Sequence, residues 1–427
     1  MDVGITIVVG AGAVLDFKHK GVCPSVRNIT EEVLKISTQK VDGTERLLIK
    51  ELYDRIIERL KIVGNPEVRR FFHPEVTFED LLHVLEMCLS YSSCWHDEYL
   101  QWTYFPPFGS LIEPCTLLKD VNTVEYTRAA YALEEKVMEI VNQYDTAFRE
   151  DKESEIWYRE FWRSMGSVNI FTLNYDTTIE ECIQRFEDGF GEPAAAESYS
   201  RFSPSGYCEN VEGKTTIAHL HGSILFIEAK TFPFEYSTRD LVKNKDFNSA
   251  SKNRRVAQTA PRTQAKEEFV QPYIISGSRK TEKMVDAPYN VYLSDLTRKV
   301  IEKKRLLIIG YSFGDLYLDE ILGLGMATHG DEFKMVIVDK YPSYINDYPA
   351  LYLHLINHCN HGAFNIISRM TKDRLAIESG QKVFPLVVKD YNTPVVSENG
   401  SLMVCMTGFK DAVMNHLVEI KEFLSIH

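Results

Sequence analysis

Several short groups of residues combine side-chain type and spacing in ways that could do chemistry. Gly10-Ala11-Gly12 follows the apolar run Val3–Val9, and residues without bulky side chains there would let a diphosphate approach backbone N–H groups near a helix N-terminus. A bare structural turn accounts for the same three residues equally well. The position three after Gly12 is Leu15, which disfavours the full G-x-G-x-x-G fingerprint of a standard dehydrogenase. Thr172-Leu173-Asn174-Tyr175-Asp176 closes a second apolar run with an amide and a carboxylate, and no Lys or Arg lies nearby in sequence to neutralise the acid. His221, with Gly222 behind it, closes a third. A lone histidine at a strand end is more often a core or surface residue than a catalyst, so the inference rests on the set. His219 shares a strand face with His221 and reads as a structural residue. Gly310-Tyr311-Ser312-Phe313-Gly314-Asp315 and Asp339 close the last two runs.

The elements that would carry these residues alternate. Strands are predicted at Val3–Val9, Val168–Leu173, Thr216–Leu220, Leu306–Ile309 and Lys334–Val338, each ending in a polar or Gly-containing turn. That repetition predicts an α/β fold, a Rossmann-like open parallel sheet with its ligand crevice at the strand C-termini. Asn28 or Thr30 could cap a helix with Glu31 and Glu32 in its first turn, and Thr177 or Thr178 begins another that runs through Ile183. From about 45 to 164 the apolar spacing is helical and without strands, which predicts a helical insertion between two pieces of core, 1–44 and 165–345. Within it, Trp95, Trp102 and the Phe105-Pro106-Pro107-Phe108 stretch read as a packed interhelical loop or a loop over a site. The cation-rich segment 239–266, with Arg239, Lys243, Lys245, Lys252, Arg254, Arg255, Arg262 and Lys266, reads as a surface loop or, more sharply, a nucleic-acid contact. The C-terminal region 346–427 predicts a hairpin, Val383–Val388 with Ser401–Met406 around Asn399-Gly400, then a helix from Asp411 to Ser425.

With 427 residues and about 150 per domain, the chain can bury a large core. Hydrophobic residues at 44% and charged residues at 26% exclude a wholly disordered or fibrous protein. A net charge of −13 argues against a general electrostatic grip on nucleic acid. No stretch of about 18 consecutive apolar residues occurs, so no transmembrane helix is expected. The first strand starts almost at Met1, leaving no space for a secretory leader, and a cytoplasmic chain without membrane contact is expected. None of the eight cysteines forms a C-x-x-C pair, so no structural zinc or other metal is expected.

Taken in order, Gly10-Ala11-Gly12, Gly21 with Pro24 and Arg27, Thr172-x-Asn174-x-Asp176, His221-Gly222, Gly310-x-Ser312 and Asp339 resemble the signature motifs of the sirtuin (silent-information-regulator) catalytic domain. Thr-Leu-Asn-Tyr-Asp together with Gly-Tyr-Ser-Phe-Gly-Asp is similar, more closely, to the bacterial sirtuin-like domains of anti-phage defence proteins, which commonly hydrolyse NAD rather than deacylate lysine. The resemblance implies NAD as substrate, with Gly10, Ala11 and Gly12 on its diphosphate and Arg27 near the phosphates or the nicotinamide ribose. It makes Asn174 and His221 the catalytic pair, turns Asp176 to the nicotinamide carboxamide, sets Gly310 and Ser312 on phosphate or ribose, and gives Asp339 the adenosine ribose hydroxyls. Pro24, Thr172 and Asp315 are counted with the cofactor-binding residues through the same motifs.

Departures from the family pattern carry information. Val14 replaces the serine expected after the glycine turn, the loop Gly-Val-Cys-Pro-Ser-Val-Arg holds one added residue, and the paired C-x-x-C module that frames the acyl-lysine cleft is missing. Asp16-Phe17 precedes Gly21 and receives no family role. The expectation is therefore an NAD glycohydrolase that releases nicotinamide and ADP-ribose as the effector of an anti-phage, abortive-infection system. Such an activity needs control, and the resemblance points to a homo-oligomer and to a HerA-type hexameric ATPase as partner, contacted through the insertion and the C-terminal region. Nucleic acid would enter through that partner or through 239–266. A nucleic-acid-activated nuclease, an NAD-dependent protein deacylase and a non-catalytic NAD sensor are the alternatives.

Overall fold

β1 (Ile5–Val9), buried at every position, runs through Gly10 into a single turn of 3-10 helix, Ala11–Val14, in this computed structural model. The structure describes residues 4–17, 24–40, 42–63, 76–93, 121, 123–153, 155–193, 197–210, 213–231, 240–259, 267–272, 275, 284–311, 313, 315–340, 377–378, 381–382, 393–397 and 399–426. α1 (Val26–Val33) begins at Ser25, whose hydroxyl accepts the Asn28 N–H at 3.2 Å. The cap expected at Asn28 or Thr30 therefore lies earlier, and Glu31 and Glu32 fall beyond the first turn, because the Ser25 hydroxyl takes the Asn28 N–H itself. A short antiparallel pair, β2 (Thr38–Gln39) and β3 (Glu45–Arg46), stands where helix alone was expected. α2 (Leu48–Val63), α3 (Phe78–Ser93) and α4 (Thr123–Glu150) then bury Leu52, Leu81, Leu85, Leu133 and Val137 in a core of their own, which also takes in Ile29 and Val33 of α1.

α5 (Ile156–Ser164) leads to β4 (Val168–Thr172), α6 (Thr178–Cys182), β5 (Tyr199–Arg201), α7 (Pro204–Asn210) and β6 (Thr216–His219). Next come β7 (Phe226–Thr231), β8 (Asp240–Asn244), α8 (Phe247–Thr259), β9 (Glu267–Pro272) and α9 (Tyr289–Glu302). The chain continues through β10 (Arg305–Ile309), α10 (Leu316–His329), β11 (Lys334–Val338), the pair β12 (Ile377–Glu378) and β13 (Gln381–Lys382), β14 (Val395–Val396), β15 (Leu402–Cys405) and α11 (Phe409–Phe423).

Seven of these strands form one sheet in the order β14-β15-β11-β10-β1-β4-β6, parallel throughout except for the β14–β15 edge. This is the expected α/β class. Its strands are nearly all apolar because both faces are covered. Val8, Phe171, Ala218, Ile308 and Ile337 face a core shared with α9 and α10, while Ile7, Val9, Ile170, Leu307 and Val336 face the aromatics Trp157, Tyr158, Phe161 and Trp162 of α5 and Phe409 of α11. From β1 the chain builds outward to β4 and β6, then returns to the other flank for β10, β11 and β15. The order reverses between β1 and β10, and a crevice opens at such a switch point.

Two regions depart from expectation. Residues 239–266 do not read as a surface loop: the described part is β8 and α8, and β8 lies inside a four-stranded antiparallel sheet, β5-β8-β7-β9. Lys243, counted among the surface cations, pairs with Asp188 at 2.5 Å in a half-buried setting, because the sheet brings the two together across 55 residues. At the C-terminus the hairpin partner of β15 is β14, and Val383–Val388 lies outside the described residues. β15 pairs in parallel with β11, so a strand of the 346–427 region belongs to the central sheet. The Trp95–Phe108 stretch also lies outside the described residues.

Candidate active site

The crevice at the strand ends is one cleft of about 850 Å³, lined by Gly10, Ala11, Gly12, Pro24, Arg27, Asn174, Asp176, His221, Gly310, Asp315 and Asp339. Residues drawn from six separate stretches of sequence thus meet in one place. Ser312 and Gly21 lie outside the described residues. Thr172 is the exception: it is fully buried at the end of β4 and does not line the cleft. Its hydroxyl accepts the Asn174 N–H at 3.1 Å, so it shapes the loop from behind.

The glycine turns interlock. Gly10 N–H donates to Ile309 O at 2.9 Å and Gly12 N–H to Gly310 O at 2.8 Å. A Cβ on Gly12 would fall 2.7 Å from the Gly310 Cα, and one on Gly310, whose φ is +60°, would fall 2.2 Å from the Ala13 nitrogen. The glycines at β1 and β10 are therefore required first for each other, and Gly12's amide is engaged within the protein. The expected helix N-terminus behind the turn is replaced by the single 3-10 turn, too short to present a helical anion site. The N-terminus of α1, where Pro24, Ser25 and Arg27 stand, opens onto this cleft. Arg27 is 76% exposed and pairs with Glu31, one turn along, a contact weak enough to yield to a phosphate.

Asn174 is held by its main chain on both sides. Besides the Thr172 contact, its carbonyl accepts from Nδ1 of His219 at 3.1 Å, while Nε2 of His219 faces Glu180 Oε1 at 2.8 Å. A carbonyl and a carboxylate both accept, so both ring nitrogens donate and the ring is an imidazolium. Burial alone would push its pKa down, but the Glu180 charge and hydrogen bond outweigh it and the pKa is raised. Glu180 is likewise lowered against its own burial by His219. His219 is thus the structural residue the sequence suggested, and Glu180 on α6 is its unanticipated partner.

Asp176 starts α6: its Oδ1 accepts the Thr178 N–H at 3.2 Å and the Thr178 hydroxyl at 2.5 Å. Next to it, Asp145 of α4 accepts the Thr177 N–H at 2.9 Å and hydroxyl at 2.7 Å. Burial, and then the Asp176 charge, hold Asp145 well above the usual carboxylate range, and burial raises Asp176 as well. Asp339, at the end of β11, is pushed up to about 6 by burial. His221 follows β6, with its carbonyl fixed by the Ile275 N–H at 2.8 Å and with Gly222 at φ +96°. Its Nε2 lies 3.3 Å from Asp315 Oδ2.

The helical region supplies the opposite wall, with Tyr53 of α2, Phe78 and Glu79 of α3 and Val141 of α4 lining the same cleft. Nothing local in the sequence marks Asp145, Glu180 or these wall residues, because each acts through contacts 30 or more positions away. Asp16 and Phe17, which received no family role, are structural. Asp16 accepts from Lys340 Nζ at 2.8 Å and from the Lys410 N–H at 3.1 Å. Phe17 packs among Tyr144, Phe148, Trp157 and Tyr158 with ring centroids 4.7–5.8 Å away.

Residues 168–353, from β4 past β11, match the family model described as the SIR2-like domain. No curated protein matches the chain. Among solved structures, one described as the structural basis for sirtuin substrate affinity is similar at 10% identity over 83% of this chain and 92% of that one, with a TM-score of 0.28. Sir2Tm bound to a propionylated peptide is similar at 11% identity over 83% and 92%, with a TM-score of 0.27. Among the described residues, no helix is long and apolar enough to cross a membrane, and no group of three His, Cys, Asp or Glu is placed to hold a metal ion.

Proposed function

We propose that this chain hydrolyses NAD, taking NAD and water to nicotinamide, ADP-ribose and a proton. The observation that carries this reading is the meeting of Asn174, His221, Arg27, Asp339 and the glycine turns in one cleft at the switch point of a parallel sheet. The SIR2-like match over 168–353 supports it, since it covers Asn174, His221, Gly310 and Asp339 together. Arg27 and the α1 N-terminus would take the phosphates, and Asp339 the ribose hydroxyls.

Loss of nicotinamide builds positive charge on the ribose C1′, which calls for an oriented water and for groups that hold the ribose hydroxyls. Asn174, whose main chain is held by Thr172 and His219, supplies a neutral side-chain amide that orients ribose and water without bringing a charge that needs pairing. His221 accepts a proton from a ribose hydroxyl or from that water. The missing C-x-x-C pairs favour hydrolysis over transfer to an acyl-lysine. On this reading the chain is a cytoplasmic effector of anti-phage defence, a homo-oligomer held in check or triggered by a HerA-type ATPase. Light scattering of the chain alone and mixed with that ATPase tests the assembly, and a monomer with no complex would overturn it.

The activity is tested by incubating the purified chain with NAD, alone, with the ATPase, and with an acylated peptide, and separating the products. Nicotinamide and ADP-ribose formed without peptide, and lost in His221→Ala and in Asn174→Ala proteins of unchanged melting temperature, are the expected result. O-acyl-ADP-ribose formed only with peptide would make the chain a deacylase. NAD binding without turnover under every condition would make it a sensor.

A further inference from the structure

Asp315 stands at the start of α10 with its two carboxylate oxygens engaged in different directions. Oδ1 accepts the Tyr317 and Leu318 N–H groups at 3.2 and 3.3 Å, as a helix cap does. Oδ2 faces Nε2 of His221 at 3.3 Å. The aspartate is braced from behind by Tyr311, whose hydroxyl accepts the Asp315 N–H at 3.1 Å and donates to Asp319 Oδ1 at 2.9 Å. The histidine is braced through its carbonyl by Ile275. Both side chains are largely buried, at 7% and 12% exposure, so their attraction is little screened by solvent. The pair joins the loops after β6 and β10, strands that β1 and β4 separate in the sheet.

We propose that Asp315 is a positioning residue for His221: Oδ2 accepts the Nε2 proton, fixes the tautomer and orientation of the ring, and stabilises the imidazolium formed when His221 takes up a proton during nicotinamide–ribose cleavage. This rests on the hydrolase reading, and it replaces a ligand-contact role for Asp315. The logic is that of a base oriented by a third group, in which the carboxylate stays ionised and holds the ring. The helix cap makes the arrangement stiff, because the carboxylate cannot turn away from the histidine without also leaving the first turn of α10.

The test compares wild type, Asp315→Asn and Asp315→Ser by steady-state nicotinamide release, under whichever condition supports turnover, with melting temperatures alongside. Both replacements can cap α10. Asparagine presents an N–H to the ring and favours the other tautomer, whereas serine reaches the cap but not the ring. A fall in kcat of roughly 100-fold or more with KM within about twofold is expected for both. Asp315→Glu, which can return a carboxylate to the ring, should recover part of the loss. A raised KM at unchanged kcat would make Asp315 a ligand contact and overturn the proposal, as would wild-type kcat in a folded Asp315→Ser protein. No release from wild type under any condition would instead overturn the hydrolase reading and this role with it.

Discussion

Gly12 and Gly310 close the two halves of the sheet onto each other: the Gly12 N–H donates to the Gly310 carbonyl at 2.8 Å, and neither residue has space for a Cβ. A turn that reads in sequence as a phosphate cradle is, in the folded chain, the joint between the strands that flank the switch point. Gly310→Ala places a non-glycine residue at φ +60°, which alone costs about 1–3 kcal/mol, and the collision with the Ala13 nitrogen adds to it. A clearly lowered urea midpoint is expected and, on the hydrolase reading, loss of ADP-ribose binding with it, measured by calorimetry on the fraction that remains folded.

The His219–Glu180 pair gives stability a pH window. His219 is raised in the folded chain, so its contribution is fully present below the unfolded histidine value of about 6.5 and is lost as pH rises through the folded one. Glu180 is lowered, so its contribution is present above the unfolded value of about 4.3 and is lost as pH falls through the folded one. Glu180→Gln should therefore lower the urea midpoint most between the unfolded glutamate and histidine values, by an amount that shrinks as pH rises through the folded histidine value. A pH-independent difference would mean that the imidazolium is not the paired species.

Asp145 predicts the opposite sign. Because its pKa is raised, stability is lost as pH climbs from the unfolded value of about 3.9 toward the folded one. Asp145→Asn removes the charge while its side-chain oxygen can still accept from Thr177. Its denaturation midpoint should exceed that of wild type at pH 8, with a smaller gain at pH 5, in parallel urea titrations.

Asp339 connects pH to ligand. With its pKa near 6 in the free protein, about a tenth of it is ionised at pH 5 and nearly all at pH 7.5. On the hydrolase reading, ADP-ribose affinity should fall by up to about tenfold between those values. The dependence should be absent in Asp339→Asn, as followed by titration calorimetry.

Phe17 ties the glycine turn to α4 and α5 through four aromatic contacts. Phe17→Ala should lower stability by about 3–5 kcal/mol, the usual range for removing a fully packed ring, and chemical denaturation measures it.

The sequence by itself determined the class of fold and most of the cleft's membership. Apolar runs ending in polar turns are a local property, since a strand covered on both faces must be apolar along its length, and its end must carry whatever the crevice presents. That is why Asn174, His221, Gly310 and Asp339 could be read from their positions after Leu173, Leu220, Ile309 and Val338. Tertiary structure decided what those residues do to one another. Thr172 turned inward because its hydroxyl had an amide to hold, Lys243 left the surface for Asp188, and Gly12 met Gly310 from 298 positions away in the chain. The helical wall around Tyr53 and Glu79, the antiparallel sheet and the His221–Asp315 contact share one physical reason. Each depends on burial and charge between segments brought together only by folding, and such energies leave no periodic or compositional trace along the chain.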